Sequence, residues 1–418
     1  IDLNGTSYQA TTSGSITFND AVDLEAGGNT ITIQTAGADA DDITFTDTID
    51  DPSSNDTLEL NANNGAGAPG GQAGEVIFQG NVGFTNPIGT FNISGADDVF
   101  LQAGTFTSDG AFTVVSDTID LATATSFLLT SNNNNIDFSG VGTIGDSANV
   151  TALDFTASNG TVSLPAITLN NGGADLLDVN TSGNATLNGD IALSGTGGFQ
   201  LDGVGGNIVL AEGDTQTMTL TTGGAFTSNG STFTATNANA EDLTITADGS
   251  VTLGAVNLNG GTTDGDLIVT ADNNNDGTET LQVTGTVQNV ALATLAGDGA
   301  THNDTIEINA DITTTNGALN IQSANQVTID ASAARALTSA GALNINTNVT
   351  GIQLDGGANT VTLASGGDND VNLAAVTDDG AGGTAASLTV NSEGGITMST
   401  ISLNDTTDGS LSLTVDSD

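Results

Sequence analysis

The residues best suited to chemistry in this sequence are the acidic and amide side chains of one polar corner, DNNNDG at 272–277. This stretch matches the first half of a calcium-binding loop, where alternate side-chain oxygens converge on the ion and a Gly permits the sharp turn. The candidate ligands are Asp272, Asn274 and Asp276. The Glu expected at the twelfth position is missing, because Val283 stands there and Glu279 is out of register. A calcium site and a plain polar corner are both open at this point.

A second stretch, GGDND at 366–370, faintly resembles one repeat of a calcium-binding nonapeptide roll. It is one residue short and it occurs once, and it adds Asp368 and Asp370 as weaker candidate ligands. Calcium is therefore the only cofactor that the sequence suggests.

Catalytic residues are much harder to find. His302 is the only His and lies in the polar corner THND at 301–304, whereas a Ser/His/Asp site needs a His beside a positioned nucleophile. Glycoside hydrolysis needs only two carboxylates about 5 to 9.5 Å apart, and 50 acidic residues leave that open. Polysaccharide lyases usually rely on Lys or Arg, and this chain has one such residue. We predict that the protein is not an enzyme, with a polysaccharide-active enzyme as an open alternative.

The formal charge of −49 excludes several classes of partner. Nucleic-acid binding requires a basic surface that displaces counterions from phosphates, and a single Arg cannot supply one. An anionic membrane surface is excluded on the same ground, and no apolar run approaches the 18 residues of a bilayer span. The chain attracts cations, and its charge keeps a repetitive protein soluble. With no Cys, it has neither disulfides nor thiolate metal sites.

The elements that must position these corners are short strands, best seen in GSVTLGAVNLNGGTTDGDLIVTAD at 249–272. Weaker copies occur at 160–179 and 394–416. Each copy holds three short alternating segments joined by polar corners, and residues two apart in a strand share a face. One such unit has too little apolar surface to fold alone, but stacked copies bury a continuous core.

About one alternating segment occurs every 11 residues, which fits either a β-solenoid or tandem β-sandwich domains. Very short segments, corners of Gly, Asn and Asp, and the absence of Trp favour the solenoid. We therefore predict an all-β parallel β-helix, one continuous solenoid over 1–418, with a glycine-rich loop excursion at 61–74. At about 22 residues per coil and about 4.8 Å between coils, it would form an elongated rod of roughly 19 coils and 90 Å.

Phenylalanine is concentrated in one part of the chain, and half of its 14 copies lie between 76 and 129. If successive coils stack in register, some of these rings form an internal ladder, which is a core and not a cofactor site. The residues concerned are Phe78, Phe84, Phe91, Phe100, Phe106, Phe112 and Phe127.

The short strands, GG and NNG corners, Thr-rich outward positions and near absence of Lys resemble the repeat regions of giant bacterial surface proteins. These are filamentous-haemagglutinin-like adhesins and related calcium-rich exoproteins. The resemblance covers nearly the whole chain and is one of composition. It implies a right-handed parallel β-helix that is secreted to the cell surface, as a structural stalk, fibre or surface-layer segment. An adhesin segment that binds carbohydrate or a surface partner is the alternative.

The two ends of the sequence also read as strands, at Ile1–Leu3 and Leu411–Val415. The last coil of a solenoid presents unpaired backbone groups, which must be capped or paired. We therefore predict that each end pairs with another copy, so that copies associate end to end as a homopolymer or filament, or with more of the same polypeptide. The lack of an initiator Met and of a leader predicts a processed form or an excerpt of a longer protein.

Overall fold

The computed structural model describes residues 1–36, 41–53, 55–63, 74–123, 125–211, 217–236, 241–259, 261, 263–274, 277–297, 304–378, 386–403 and 409–415. The chain divides into two compact units, Ile1–Ile208 and Val209–Asp418, and each is described by itself. The regular elements found within these ranges are β-strands. No helix in this part of the chain is long and apolar enough to cross a bilayer.

The first unit contains 22 strands, the last of which extends two residues past its end. They are β1 (Asp2–Leu3), β2 (Ser7–Gln9), β3 (Ile16–Phe18), β4 (Val22–Leu24), β5 (Thr30–Gln34), β6 (Ile43–Phe45), β7 (Ile49–Asp50), β8 (Thr57–Asn61), β9 (Val76–Phe78), β10 (Thr90–Leu101), β11 (Thr105–Ser108), β12 (Phe112–Leu121), β13 (Ser126–Ser131), β14 (Ile136–Asp146), β15 (Ala152–Ala157), β16 (Val162–Leu164), β17 (Ala166–Leu169), β18 (Leu176–Thr181), β19 (Ala185–Leu187), β20 (Ile191–Leu193), β21 (Phe199–Gln200) and β22 (Asn207–Leu210).

These strands form three parallel ladders. The first ladder runs β2, β5, β8, the first halves of β10, β12 and β14, then β16, β19 and β22. The second runs β3, β6, β9, the second halves of the same three long strands, then β17 and β20. The third runs β1, β4 and β7, crosses two isolated bridges that share Val82, and continues through β11, β13, β15, β18 and β21.

The second unit repeats this plan with 23 further strands. They are β23 (Thr217–Thr222), β24 (Phe226–Thr227), β25 (Thr232–Ala235), β26 (Asp242–Ala247), β27 (Val251–Leu253), β28 (Ala255–Asn257), β29 (Gly265–Thr270), β30 (Thr280–Val283), β31 (Val287–Ala296), β32 (Thr305–Ile308), β33 (Ile312–Thr314), β34 (Leu319–Gln322), β35 (Ala324–Asp330), β36 (Arg335–Ser339), β37 (Leu343–Ile345), β38 (Val349–Asp355), β39 (Thr360–Ser365), β40 (Val371–Leu373), β41 (Ala375–Asp378), β42 (Ser387–Ser392), β43 (Ile396–Met398), β44 (Ile401–Ser402) and β45 (Leu411–Val415).

Here the first ladder is β25, β28, the first half of β31, β33, β36, β39, β42 and β45. The second is β23, β26, β29, the second half of β31, β34, β37, β40 and β43. The third is β24, β27, β30, β32, β35, β38, β41 and β44. The prediction of an all-β parallel β-solenoid is therefore confirmed, and the alternative of tandem sandwiches is wrong, since sandwich sheets pair their strands antiparallel.

The coil length varies more than the sequence repeats indicate. Phe91 pairs with Phe112, 21 positions later, whereas Val256 pairs with Val287, 31 positions later. Corners of different length account for the difference, because the paired strand segments themselves stay short. Among the described residues the first ladder contains nine strands in the first unit and eight in the second, somewhat fewer than the roughly 19 coils predicted.

The core is built by strict alternation along each strand. In β5, for example, Ile31 and Ile33 are fully buried while Thr32 between them is partly exposed. In a parallel in-register ladder each inward position lies above the same position of the previous coil, so like residues stack.

The predicted phenylalanine ladder is present in the first unit. Phe18, Phe45 and Phe78 stack with ring centroids 4.9 and 5.6 Å apart. A second series packs edge to face at 4.7 to 5.8 Å and consists of Phe91, Phe112, Phe138 and Phe155. Phe84 does not belong to either series, because its side chain is 64 % exposed.

Buried hydroxyl groups form a further ladder in the second unit. The hydroxyl oxygens of Thr314 and Ser339 lie 3.2 Å apart, and those of Ser365 and Ser392 are separated by the same distance. Several of these groups also donate to corner carbonyls, as Ser365 Oγ does to Asn369 O at 2.6 Å. These contacts satisfy the polar groups that the narrow core buries at the strand ends.

Candidate functional site

Buried carboxylates bind backbone N–H groups of the neighbouring coil. Asp56 is fully buried. Its Oδ1 accepts hydrogen bonds from Gly28 N and Asn29 N at 2.6 and 3.1 Å, and its Oδ2 accepts one from Ala26 N at 2.9 Å. Three N–H groups around one carboxylate provide the partial positive charge that lets an anion stay inside the protein.

Neighbouring acids do the same for the next corner. Asp51 Oδ2 accepts hydrogen bonds from the N–H groups of Asp56 and Gly89, and Asp50 Oδ1 accepts two from Thr85 N and Asn86 N. Asp50, Asp51 and Asp56 therefore use carboxylate oxygens for structural hydrogen bonds to backbone N–H groups.

At the predicted calcium loop the structure describes Asp272 and Asn274 but not Asp276. Asp272 is buried with a φ of 53°, whereas Asn274 is exposed. Downstream of this corner Glu279 Oε2 accepts a hydrogen bond from Ser250 Oγ at 2.6 Å. Because Asp276 lies outside the described residues, calcium binding at this loop stays a prediction.

The weaker candidates Asp368 and Asp370 are both exposed, and Asp368 has a φ of 59°. Asp370 Oδ1 accepts a hydrogen bond from Gly395 N at 2.7 Å, and Glu393 Oε2 accepts one from Gly367 N at 2.5 Å. Across the described ranges no group of three or more His, Cys, Asp or Glu side chains could hold a metal.

Two further sequence features lie largely outside the described residues. One is His302, and the other is most of the glycine-rich stretch, of which only 61–63 and 74 are described. The ends of that stretch are joined, because Gly74 N donates to Ala62 O at 3.1 Å.

Acidic side chains also face each other in register on the outer surface. Asp154 pairs with Asp178, and Asp23 pairs with both Asp2 and Asp50. Burial, and then the charge of Asp178, raise the pKa of Asp154 above its ordinary value. Burial likewise raises the pKa of Asp178, and the charge of Asp202 adds to this, against hydrogen bonds from Asn180 and Val179 N.

The same pattern occurs in the second unit, where burial and the charge of Asp242 raise the pKa of Asp266. Arg335 provides the opposite case. Burial alone would raise the pKa of Asp330, but hydrogen bonds from Ser332 and Arg335, together with the charge of Arg335, bring it below its ordinary value. This ion pair uses the only Lys or Arg of the chain.

An open groove on the outer surface of the first unit is the feature that the sequence did not reveal. Its volume is about 320 Å³. It lies across β10, β12 and β14 on the second ladder, and Gly145 leaves space beside Asp120, with which it pairs. Its polar and aromatic lining comprises Asp98, Phe100, Thr118, Asp120, Thr143, Asp146 and Ser147. The sequence does show an outward Phe100 next to outward acids. It does not show the strand registers that bring the residues of the groove together.

Comparisons of the chain with protein-family models, with curated proteins and with solved structures find no match.

Proposed function

We propose that this chain is a structural protein, a repetitive stalk, fibre or surface-layer segment of a bacterial cell surface or matrix that is secreted and joins further copies end to end. The compositional resemblance supports the extracellular setting. The parallel ladders support the structural role, since their corner acids bind the backbone of adjacent coils. No enzymatic activity is part of this proposal.

The observation that supports end-to-end association is the exposed face of β45, whose edge would suit a strand of another copy or more of the same polypeptide. Leu411, Leu413 and Val415 are 45 to 51 % exposed, although Leu388 and Val390, which pair with the first two, are fully buried. The side chains of β45 that continue the core are thus exposed to solvent. Among the described strands β45 pairs with β42 alone, so its other edge is open. An apolar strand edge of this kind is a template for another strand.

The test is light scattering of the purified chain over a range of concentrations, with Leu413→Lys against Ile268→Lys. Ile268 is 41 % exposed and points outward from β29, so it matches the change without touching the strand edge. We expect wild type and Ile268→Lys to associate and Leu413→Lys to remain monomeric. A wild-type chain that is monomeric at high concentration would contradict the proposal.

A carbohydrate-binding or polysaccharide-active segment is the second candidate, and the groove beside Phe100 favours it. Sugars pack on aromatic rings, and their hydroxyl groups donate hydrogen bonds to carboxylates. The groove offers both an aromatic ring and carboxylates. The measurement is binding and cleavage of a panel of polysaccharides by wild type, Phe100→Ala and Phe84→Ala. Loss of binding in Phe100→Ala alone would establish this function, while the absence of any binding would remove it.

A further inference from the structure

Asp175 is a buried carboxyl group whose surroundings differ from those of Asp51 and Asp56. It lies in the corner before β18, is fully buried and has a φ of 47°. Its Oδ2 accepts a long hydrogen bond of 3.4 Å from Ser194 Oγ, and the carboxyl also accepts one from Gly195 N. Its Oδ1 is inaccessible to solvent and has no hydrogen-bond partner.

An ionised oxygen in that position would be strongly unfavourable, because a buried charge needs a counter-charge or several hydrogen bonds. The two corners packed against Asp175, 147–151 and 194–198, contain no Lys, Arg or His. The titratable group that faces it is Asp146, whose Oδ1 and Oδ2 accept hydrogen bonds from Asn170 N and Asn171 N at 2.8 and 3.2 Å. Asp146 would add a second negative charge.

We propose that Asp175 carries a proton in the folded protein, and that its ionisation opens the corner formed by residues 170–175 and 194–198. A neutral carboxylic acid removes the buried charge and the repulsion from Asp146. Burial, and then the charge of Asp146, raise the pKa of Asp175 by more than Ser194 and Gly195 N lower it.

This corner is hydrogen-bonded to the coil before it and to the coil after it, so opening it breaks contacts with both. Asp175 N donates to Val150 O at 3.3 Å in the preceding coil, and Gly197 N of the following coil donates to Ala174 O. The strands on either side keep their own ladder bonds, such as those between β15 and β18. Ionisation is therefore expected to open the corner locally rather than unfold the unit.

The sign of the pH dependence follows from proton binding. The closed corner binds the proton more tightly than the open corner, where an Asp titrates near 3.9. The opening constant therefore rises about tenfold per pH unit from about pH 3.9 up to the pKa of Asp175 in the closed corner, and is constant above it.

The experiment is amide hydrogen exchange by NMR in chelator from pH 4 to 8, expressed as protection factors to remove the intrinsic pH effect. Wild-type protection at Gly195 and Gly197 should fall with pH, while Ile167, whose N–H bonds Asp190 O, serves as the reference amide. In Asp175→Asn the protection should be independent of pH and at least about tenfold above wild type at pH 8. Asn suits the substitution because it tolerates positive φ.

The matched control is Asp56→Asn. This substitution replaces a carboxylate that accepts hydrogen bonds from three backbone N–H groups. It should lower protection at Gly28 and Asn29 at every pH, opposite to Asp175→Asn. Protection at Gly195 that is flat with pH in wild type would overturn the proposal. Calcium that restores protection at pH 8 would also overturn it, because the corner would then hold a metal ion instead of a proton.

A direct titration keeps the test decisive if Asp175→Asn fails to fold. The side-chain carboxyl carbon of Asp175, assigned through bonds in the wild-type chain, should titrate clearly above the ordinary Asp range. A midpoint at or below about 3.9 would overturn the proposal.

Discussion

Buried aspartates hold the corners of this protein in place by accepting hydrogen bonds from backbone N–H groups of the adjacent coil. Asp56 does so for Ala26, Gly28 and Asn29, which lie 27 to 30 positions before it. Hydrogen bonds to a charged acceptor are worth about 1.5–3 kcal/mol, and the buried donors left behind add a desolvation cost.

We therefore expect Asp56→Ala to lower the free energy of unfolding by about 3 kcal/mol or more. The measurement is urea denaturation. The control is Asp20→Ala at an exposed position, where a change within about 0.5 kcal/mol is expected. Equal effects of the two substitutions would mean that the hydrogen bonds to Asp56 do not contribute.

The sequence predicts which residues form corners but not what their side chains bind. Asp, Asn and Gly mark turns through local backbone preferences. The partners of Asp50, by contrast, are Thr85 and Asn86, 35 and 36 positions later. Those distances depend on the lengths of all the intervening corners, which local preference does not determine.

At the scale of the strands, aromatic packing between coils is a source of stability that can be tested at one residue. Phe138 is fully buried and contacts both Phe112 and Phe155 in the edge-to-face series. Truncation of such a ring leaves a cavity that the ladders cannot close, since backbone pairing holds the coils in place.

We expect Phe138→Ala to destabilise the protein by about 3–5 kcal/mol. Phe84→Ala, at the exposed ring, should change stability by less than about 0.5 kcal/mol. Thermal unfolding monitored by circular dichroism checks both. A small effect at Phe138 would show that the core of this unit rearranges around the missing ring.

Acid pairs on neighbouring strands give a second prediction at this scale. Because burial and the charge of Asp202 raise the pKa of Asp178, its contribution to stability is present at low pH and is lost as pH rises through the folded-state pKa. Asp178→Asn should therefore raise the melting temperature at pH 7, with a difference that vanishes below about pH 3.9. A lower melting temperature at pH 7 would contradict this account.

Strand positions and their inward faces were predictable, because alternation and Gly-, Asn- and Asp-rich corners are local signals. The sequence predicted only some of the residues that form the phenylalanine ladders. Phe84 has the same sequence surroundings as its buried neighbours but lies in a corner, between the Val82 bridge and β10. The groove beside Phe100 needed two registers at once, β10 with β12 and β12 with β14, and each of them contains a shift, the second through an extra residue in β14.

For the molecule as a whole, nearly all the titratable side chains are carboxylates, 50 Asp and Glu against one Arg and one His. The pKa is raised at Asp117, Asp154, Asp175, Asp178 and Asp266, with burial the largest cause in each case, and lowered at Asp330. Groups with a raised pKa make the folded state bind more protons than the unfolded chain, so stability falls as pH rises through the acid range.

We expect a higher melting temperature at about pH 4.5 than at about pH 8, and a rise on addition of calcium at pH 8 that a chelator reverses. Protonation removes the cost of burying a charge as well as the repulsion between carboxylates, whereas calcium relieves the repulsion. If acid lowers the melting temperature and the chelator changes nothing, the outward acids are too dispersed to interact and the calcium interpretation of 272–277 is wrong.

The in-register pairing of repeats has a consequence for how such a chain changes over evolutionary time. The motif GALNI occurs at 317–321 and at 341–345, and Leu319 and Asn320 pair directly with Leu343 and Asn344. Loss or duplication of the segment from one copy to the next would remove or add one complete coil, and the asparagine side-chain ladder of Asn320, Asn344 and Asn372 would close again across the junction. Length in this protein is therefore a trait that can be inherited in whole-coil steps without redesign of the core.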